Sequence, residues 1–148
     1  MSHVYMAYFA HCVFSTKGRQ NSIPVELQAK LWAYLIGIAR NLQITMIAVG
    51  GMPNHIHLLI AVPPAMALSV AIQKLKANSS RWMGEHELTF EWQKGYAAFS
   101  VSPSSVETVA NYIRNQELHH HARTFEEEFV ALLRKAGINY DAEQLFAA

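Results

Sequence analysis

Apolar positions along the chain recur in two rhythms, one that suits strands and one that suits helices. The segment "HVYMAYFAHCVFST" (3–16) is apolar on both alternating faces, which predicts a central strand covered on both sides. After the loop "KGRQNS", Ser22 is placed to cap a helix with Pro24 in its first turn. Leu27, Leu31, Leu35, Ile38 and Leu42 form its buried stripe. The stretch "QITMIAVGGMPNHIHLLIAVP" (43–63) reads as two strands joined by a tight Gly50-Gly51-Met52-Pro53-Asn54 turn. Helical spacing returns over 67–83, with Leu68, Ile72, Leu75 and Trp82 on one side and Lys74, Asn78 and Arg81 on a polar one. "FEWQKGYAAFSVS" (90–102) predicts another strand. Ser102-Pro103 opens a helix running to about His121, and a last amphipathic helix begins near Thr124 and ends before Gly137.

The order is therefore β-α-β-β-α-β followed by two helices. It predicts an α+β, ferredoxin-like antiparallel sheet with helices on one face, plus a tyrosine-bearing helix and a final helix. That arrangement hosts many unrelated functions, so the chemistry must come from particular residues.

Composition narrows the classes. A length of 148 residues, with 51% hydrophobic and 16% charged, fits one soluble domain spanning 1–148. No apolar run reaches the roughly 20 residues that span a bilayer. No signal peptide is visible at the N-terminus. A single cysteine, Cys12, excludes an internal disulfide and a cysteine-rich zinc site, and the expected compartment is the cytoplasm. A net charge of +1 is not the footprint of a protein gripping duplex DNA through many phosphates. Lysine and arginine are absent from 1–16 and 41–73, so basic residues are unevenly placed.

The eight histidines change the picture most. His55 and His57 flank Ile56 in "MPNHIHLLI" (52–60), so on a strand both point to one face about 6.5–7 Å apart. Two imidazoles at that spacing can converge on one cation, while Ile56, Leu58 and Ile60 pack the other face. A metal site needs at least a third ligand. In "SPSSVETVANYIRNQELHHH" (102–121), Val106, Val109, Ala110 and Ile113 form the stripe that buries the helix. Tyr112 and Gln116, four apart, share a face at its border, with Thr108, Asn115 and His119 extending or flanking it. A phenol can form a covalent phosphodiester when a nearby cation or base favours its oxyanion. Gln116 would complete a His-His-Gln set whose mixed nitrogen and oxygen ligands suit Mg²⁺ or Mn²⁺.

"MPNHIHLL" followed much later by "YIRNQELHH" resembles the small one-tyrosine HUH transposases of bacterial insertion sequences, where HUH is histidine, bulky hydrophobic residue, histidine. The resemblance extends through "HCVFSTK", "LKANSSRWM", "FEWQKGYAAFSVSPS" and "RTFEEEFVALLRKAGINYD", essentially the whole chain. It implies that His55, His57 and Gln116 hold a divalent metal, Mg²⁺ or Mn²⁺. It implies that Tyr112 cleaves and rejoins single-stranded DNA through a 5′-phosphotyrosine, without ATP. Hairpins at element ends would be the substrate and a homodimer the working unit. A related group associated with repetitive extragenic palindromes usually carries Asn-Pro where this chain has "NQE", which favours the insertion-sequence class. "STKGRQ" and the ending "QLFAA" depart from the family patterns without touching the proposed chemistry.

Lys17, Arg19, Lys74, Lys76 and Arg81 are the candidate phosphate contacts. Trp82 and Trp92 are candidates for base stacking, with packing the expected role for both. "HHH" (119–121) is expected to cap a helix end, His11 to be a buried, hydrogen-bonded histidine, and the "FEEEF" acids to line the solvated face of the final helix. Two other readings share these residues: a non-catalytic nucleic-acid-binding module, which needs neither Tyr112 nor metal, and a metal-dependent phosphoesterase that activates water.

Overall fold

A computed structural model describes residues 3–86, 88–119 and 123–147 of the chain. Four strands, β1 (Phe9–Ser15), β2 (Thr45–Met52), β3 (His55–Ala61) and β4 (Ala97–Val101), pair in the order β2-β3-β1-β4, every neighbour antiparallel. β1 and β3 are the two central strands, and both are buried almost throughout. The predicted first strand begins late: its pairing starts at Phe9↔Val101 and Ala10↔Ile60, among the described residues β4 ends at Val101 and β3 at Ala61, and Val4, Tyr5, Met6 and Tyr8 are exposed.

The alternation in β1 and β3 sorts their side chains to opposite faces. Ala10, Cys12 and Phe14 join Ile56, Leu58 and Ile60 against Leu31, Leu35 and Ala39 of α1 (Val25–Asn41) and Ala71, Ile72 and Leu75 of α2 (Leu68–Glu85). This is the larger core, and it places both crossover helices on one face as the pattern predicted. Ser22 does not cap α1. Ile23 is buried and its N–H bonds to Pro53 O, which holds the chain extended until Pro24 takes the cap position.

The other face carries α3 (Val106–Arg114), whose Ala110 and Ile113 pack on Ala48, Leu59 and Val101. The hairpin turn is only Pro53-Asn54, because Gly50 and Gly51 lie within β2. A Cβ on Gly50 would sit 2.2 Å from the Ile113 carbonyl oxygen, so the glycine is what lets the end of α3 lie against the strand. β4 is also shorter than predicted. Gly95 adopts a left-handed conformation (φ +83°) that ends extended pairing before Ala97.

The helix predicted from Ser102 to His121 is divided. A 3-10 turn over Pro103–Ser105 precedes α3, and Asn115 (φ −105°, ψ 30°) interrupts the helix before α4 (Gln116–His119). His120 and His121 lie outside the described residues, as does the side chain of His119. The final helix, α5 (Phe125–Lys135), starts as expected at Thr124, which forms a reciprocal capping box with Glu127.

Candidate active site

His55 and His57 leave β3 toward the α3 face, fully buried, while Ile56 and Leu58 enter the larger core. Each imidazole is anchored at Nδ1. His55 Nδ1 lies 2.7 Å from Asn54 Oδ1, and His57 Nδ1 lies 2.8 Å from His11 Nε2 on the adjacent β1. Both Nε2 atoms are therefore directed into one small space. Burial and the neighbouring His57 push the His11 pKa down to about 3, with Glu128 acting in the opposite direction. His11 is neutral, so its Nε2 can accept a hydrogen bond from His57 Nδ1–H, while His57 Nε2 faces the Glu128 carboxylate.

Two further elements close this space. Gln116, the first residue of α4 and buried, brings Oε1 to 3.2 Å from His55 Nε2. Glu128 of α5, also fully buried, brings Oε1 to 3.0 Å from His57 Nε2 and 3.6 Å from His55 Nε2. Its Oε2 accepts a hydrogen bond from the Tyr112 hydroxyl. Phe125, one turn before Glu128, stacks on His55 with centroids 4.3 Å apart and so seats α5 against the histidines.

The expectation that the "FEEEF" acids face solvent needs correction at Glu128. Glu127 is exposed in the capping box and Glu126 is half-buried, paired with Arg19 at 3.3 Å, but Glu128 points inward. Its signal was present in the spacing: Phe125, Glu128 and Leu132 fall at i, i+3 and i+7, so this acid interrupts the apolar stripe. Burial works against the Glu128 charge. Hydrogen bonds from His57 and Tyr112 and the charge of His57 outweigh it and hold the carboxyl well below the usual range. Tyr112 moves the other way, up to about 12, through burial, its bond to Glu128 and the carboxylate's charge. Arg123, whose guanidinium approaches the phenol oxygen at 3.4 Å, opposes that shift.

The donor set fits a divalent cation. Ligand atoms of His55, His57 and Glu128 lie within 4.8 Å of one another. Adjacent ligands of an octahedral Mg²⁺ stand about 3 Å apart for bonds of about 2.1 Å. The separations of 3.0, 3.2 and 3.6 Å found here are close to that edge.

The structure thus brings together four sequence-predicted residues, His55, His57, Tyr112 and Gln116, with His11 behind them, and adds Glu128 and Arg123. The five basic candidates are elsewhere. Lys74, Lys76 and Arg81 lie on α2, which covers the opposite sheet face. Lys76 is tied to the Gln93 and Gly95 carbonyls over the Phe14 ring, and Arg81 donates to Asn78. Lys17 pairs with Glu91, and Arg19 binds the Phe146 carbonyl and lies over its ring. Trp92 is buried edge-on to Phe14 and donates to Ser79, and Trp82 stacks on Tyr34. A groove of about 700 Å³ between β4, α3 and α5 opens beside Tyr112, with Arg123 and Lys135 among its walls.

Residues 4–116 match the profile of the family described as "Transposase IS200 like". Two solved structures share the fold. A putative transposase from Deinococcus radiodurans is 24% identical, with a TM-score of 0.61 over 78% of this chain and 96% of that one. The REP-associated tyrosine transposase bound to a REP hairpin is 17% identical, with a TM-score of 0.57 over 76% of this chain and 70% of that one. Among the curated proteins none matches. No helix among the described residues is long and apolar enough to cross a membrane.

Proposed function

The chain belongs to the IS200-like transposases, and we propose that its 148 residues work as one domain that cleaves and rejoins single-stranded DNA with Tyr112 as nucleophile. The observation that carries the reading is the convergence of His55, His57 and Gln116 on one buried point, with the Tyr112 hydroxyl joined to it through Glu128. His55 and His57 would present their Nε2 atoms, and Gln116 its Oε1, to Mg²⁺ or Mn²⁺. When bound, such a cation polarises a phosphate and offsets the charge that develops on it.

Tyr112 then attacks phosphorus. The bond from its phenol oxygen to phosphorus forms as the bond to the 3′-oxygen breaks, and the proton that Tyr112 gives up ends on the departing 3′-hydroxyl. The 5′-phosphotyrosine conserves the phosphodiester's energy, so another 3′-hydroxyl can reverse the step and join new ends without ATP. A phenol held near 12 is protonated in ordinary buffer. Arg123, beside its oxygen, favours the oxyanion as it forms.

The substrate in this reading is a DNA hairpin with a single-stranded flank, as the hairpin complex of the structurally similar REP-associated transposase suggests. The flank would enter the groove beside Tyr112, where Arg123 and Lys135 can meet phosphates. Lys17, Lys74 and Arg81 are exposed and would contact phosphates remote from the cleavage point. The homodimer implied by the family resemblance is part of the proposal: α3 follows β4 after the short 102–105 connection, and exchange of α3 between two chains would take place there.

The test uses single-stranded oligonucleotides covering the hairpins that flank the gene, incubated with protein and Mg²⁺ or Mn²⁺, and scored for a denaturant-resistant protein–DNA adduct. The expected result is an adduct with the native chain and none with Tyr112→Phe or with His55→Ala, His57→Ala. An adduct that persists in Tyr112→Phe overturns the nucleophile, and cleavage without any adduct transfers the role to water. Mixing the two inactive variants regains the adduct if tyrosine helices are exchanged between chains.

A further inference from the structure

We propose that Glu128 joins the two halves of this site: its Oε1 binds the same cation as His55 and His57, and its Oε2 positions the Tyr112 hydroxyl beside it. The proposal rests on the reading just given and adds a residue from an element, α5, that lies beyond the stretch matching the family.

Three observations carry it. The first is placement. Glu128 is fully buried while Glu127 in the same helix is fully exposed, and a carboxylate is taken out of water only where compensating charge or hydrogen bonds meet it. The second is the direction of Oε1. A carboxylate that served only to pair with His57 would need one short contact, yet Oε1 also lies 3.6 Å from His55 Nε2. It stands where a ligand shared with both imidazoles would stand. The third is the use of the other oxygen, which accepts the Tyr112 hydroxyl. Both oxygens belong to one planar group, so cation and nucleophile are held at a separation set by the carboxylate itself.

The charge count agrees with the chemistry. Two neutral imidazoles, the Gln116 amide oxygen and one carboxylate leave a divalent cation with one net positive charge, enough to attract a phosphate. The added hard oxygen ligand favours Mg²⁺ or Mn²⁺ over softer metals. His57 is thereby fixed on both sides, by His11 behind and the shared cation in front, while Phe125 packs on His55 to hold α5 in register. Glu128 is a positioning residue toward Tyr112 and a ligand toward the metal, and the two roles separate experimentally.

Full-length chain stripped of metal is titrated with Mn²⁺ by calorimetry, without DNA. Glu128→Gln is expected to weaken Mn²⁺ binding at least tenfold, because a neutral amide replaces the carboxylate, while circular dichroism and melting confirm the fold. The amide oxygen still accepts the Tyr112 hydroxyl, so adduct formation by Glu128→Gln recovers at saturating Mn²⁺. Glu128→Ala loses that acceptor, and its adduct rate stays at least tenfold down at saturating Mn²⁺. An affinity of Glu128→Gln within twofold of the native chain overturns the ligand role. An undiminished rate for saturated Glu128→Ala overturns the positioning role. Should neither variant fold, the Mn²⁺-minus-apo infrared difference spectrum of the native protein decides the ligand role, with a shifted carboxylate stretch supporting it and none overturning it. Failure of the parent reading looks different: Mn²⁺ affinity then survives His55→Ala, His57→Ala, or the adduct survives Tyr112→Phe.

Discussion

At the scale of single residues, the site anchors each of its two strand histidines at Nδ1 and turns Nε2 inward. His57 meets His11 through Nδ1 at 2.8 Å, and the rings of the two residues stack with centroids 5.1 Å apart. Held neutral by burial, with a pKa of about 3, His11 can accept a hydrogen bond from His57 Nδ1–H, the tautomer that in the proposed metal site would leave Nε2 to the cation. His11→Phe keeps the ring and removes the acceptor. The expected outcome is a folded protein whose Mn²⁺ affinity, measured by calorimetric titration, falls by about 10- to 100-fold, the usual cost of losing such an outer partner. An unchanged affinity would mean that His57 is oriented by packing alone. The sequence made His55, His57, Tyr112 and Gln116 legible because each carries its signal in local spacing, two apart on a strand or four apart on a helix. The burial of His11 was legible too, but its partner was not, since the His11–His57 contact depends on the pairing of β1 with β3. Glu128 was read outward for a related reason. In a run of three acids the solvated face is the default, although the spacing of Phe125, Glu128 and Leu132 marks Glu128 as the one that turns in, and the docking of α5 on the histidines supplies its partners.

Elements place those residues, and here the glycines of β2 matter more than their apparent turn chemistry suggested. "GGMPN" reads as a loop, yet Gly50 pairs with His57 inside the sheet and lies under the last turn of α3. Its missing side chain sets how near Tyr112 and Gln116 come to the histidines. Gly50→Ala would place a Cβ 2.2 Å from the Ile113 carbonyl oxygen, a rigid backbone atom, so α3 must shift outward. The expected cost is about 1–3 kcal/mol of unfolding free energy, read from denaturant melts, together with loss of adduct formation out of proportion to the remaining folded fraction. Wild-type stability in this variant would show that α3 has room to give. Strand and helix identities along the chain followed the hydrophobic rhythm. Their ends did not, because they were set by pairing partners and backbone angles: Gly95 shortens β4, and Asn115 divides the tyrosine helix so that Gln116 opens a new turn toward His55.

On the scale of the whole molecule the sheet separates two unequal halves. One face and helices α1 and α2 enclose the large core, whereas the opposite face holds a smaller apolar cluster with α3 and the polar site. The smaller half buries less apolar surface and keeps charged and hydroxyl groups inside it, so its helices should open at lower free energy than α1 and α2. A cation bound by His55, His57, Gln116 and Glu128 ties β3 to α4 and α5 and must leave whenever those helices lift away. At a free Mn²⁺ concentration of about 100 times Kd, such linkage adds about 2.7 kcal/mol to that opening, roughly a 100-fold slowing of amide exchange. Hydrogen exchange followed by mass spectrometry is therefore expected to show Mn²⁺ protecting the amides of α5 and the end of α3 while α1 and α2 are unaffected. The protection should vanish in His55→Ala, His57→Ala and shrink on α5 in Glu128→Gln. Uniform slowing across both halves would mean that the two faces open as one cooperative unit. Protection confined to β3 and α4 would place α5 outside the metal site and leave Glu128 with Tyr112 alone.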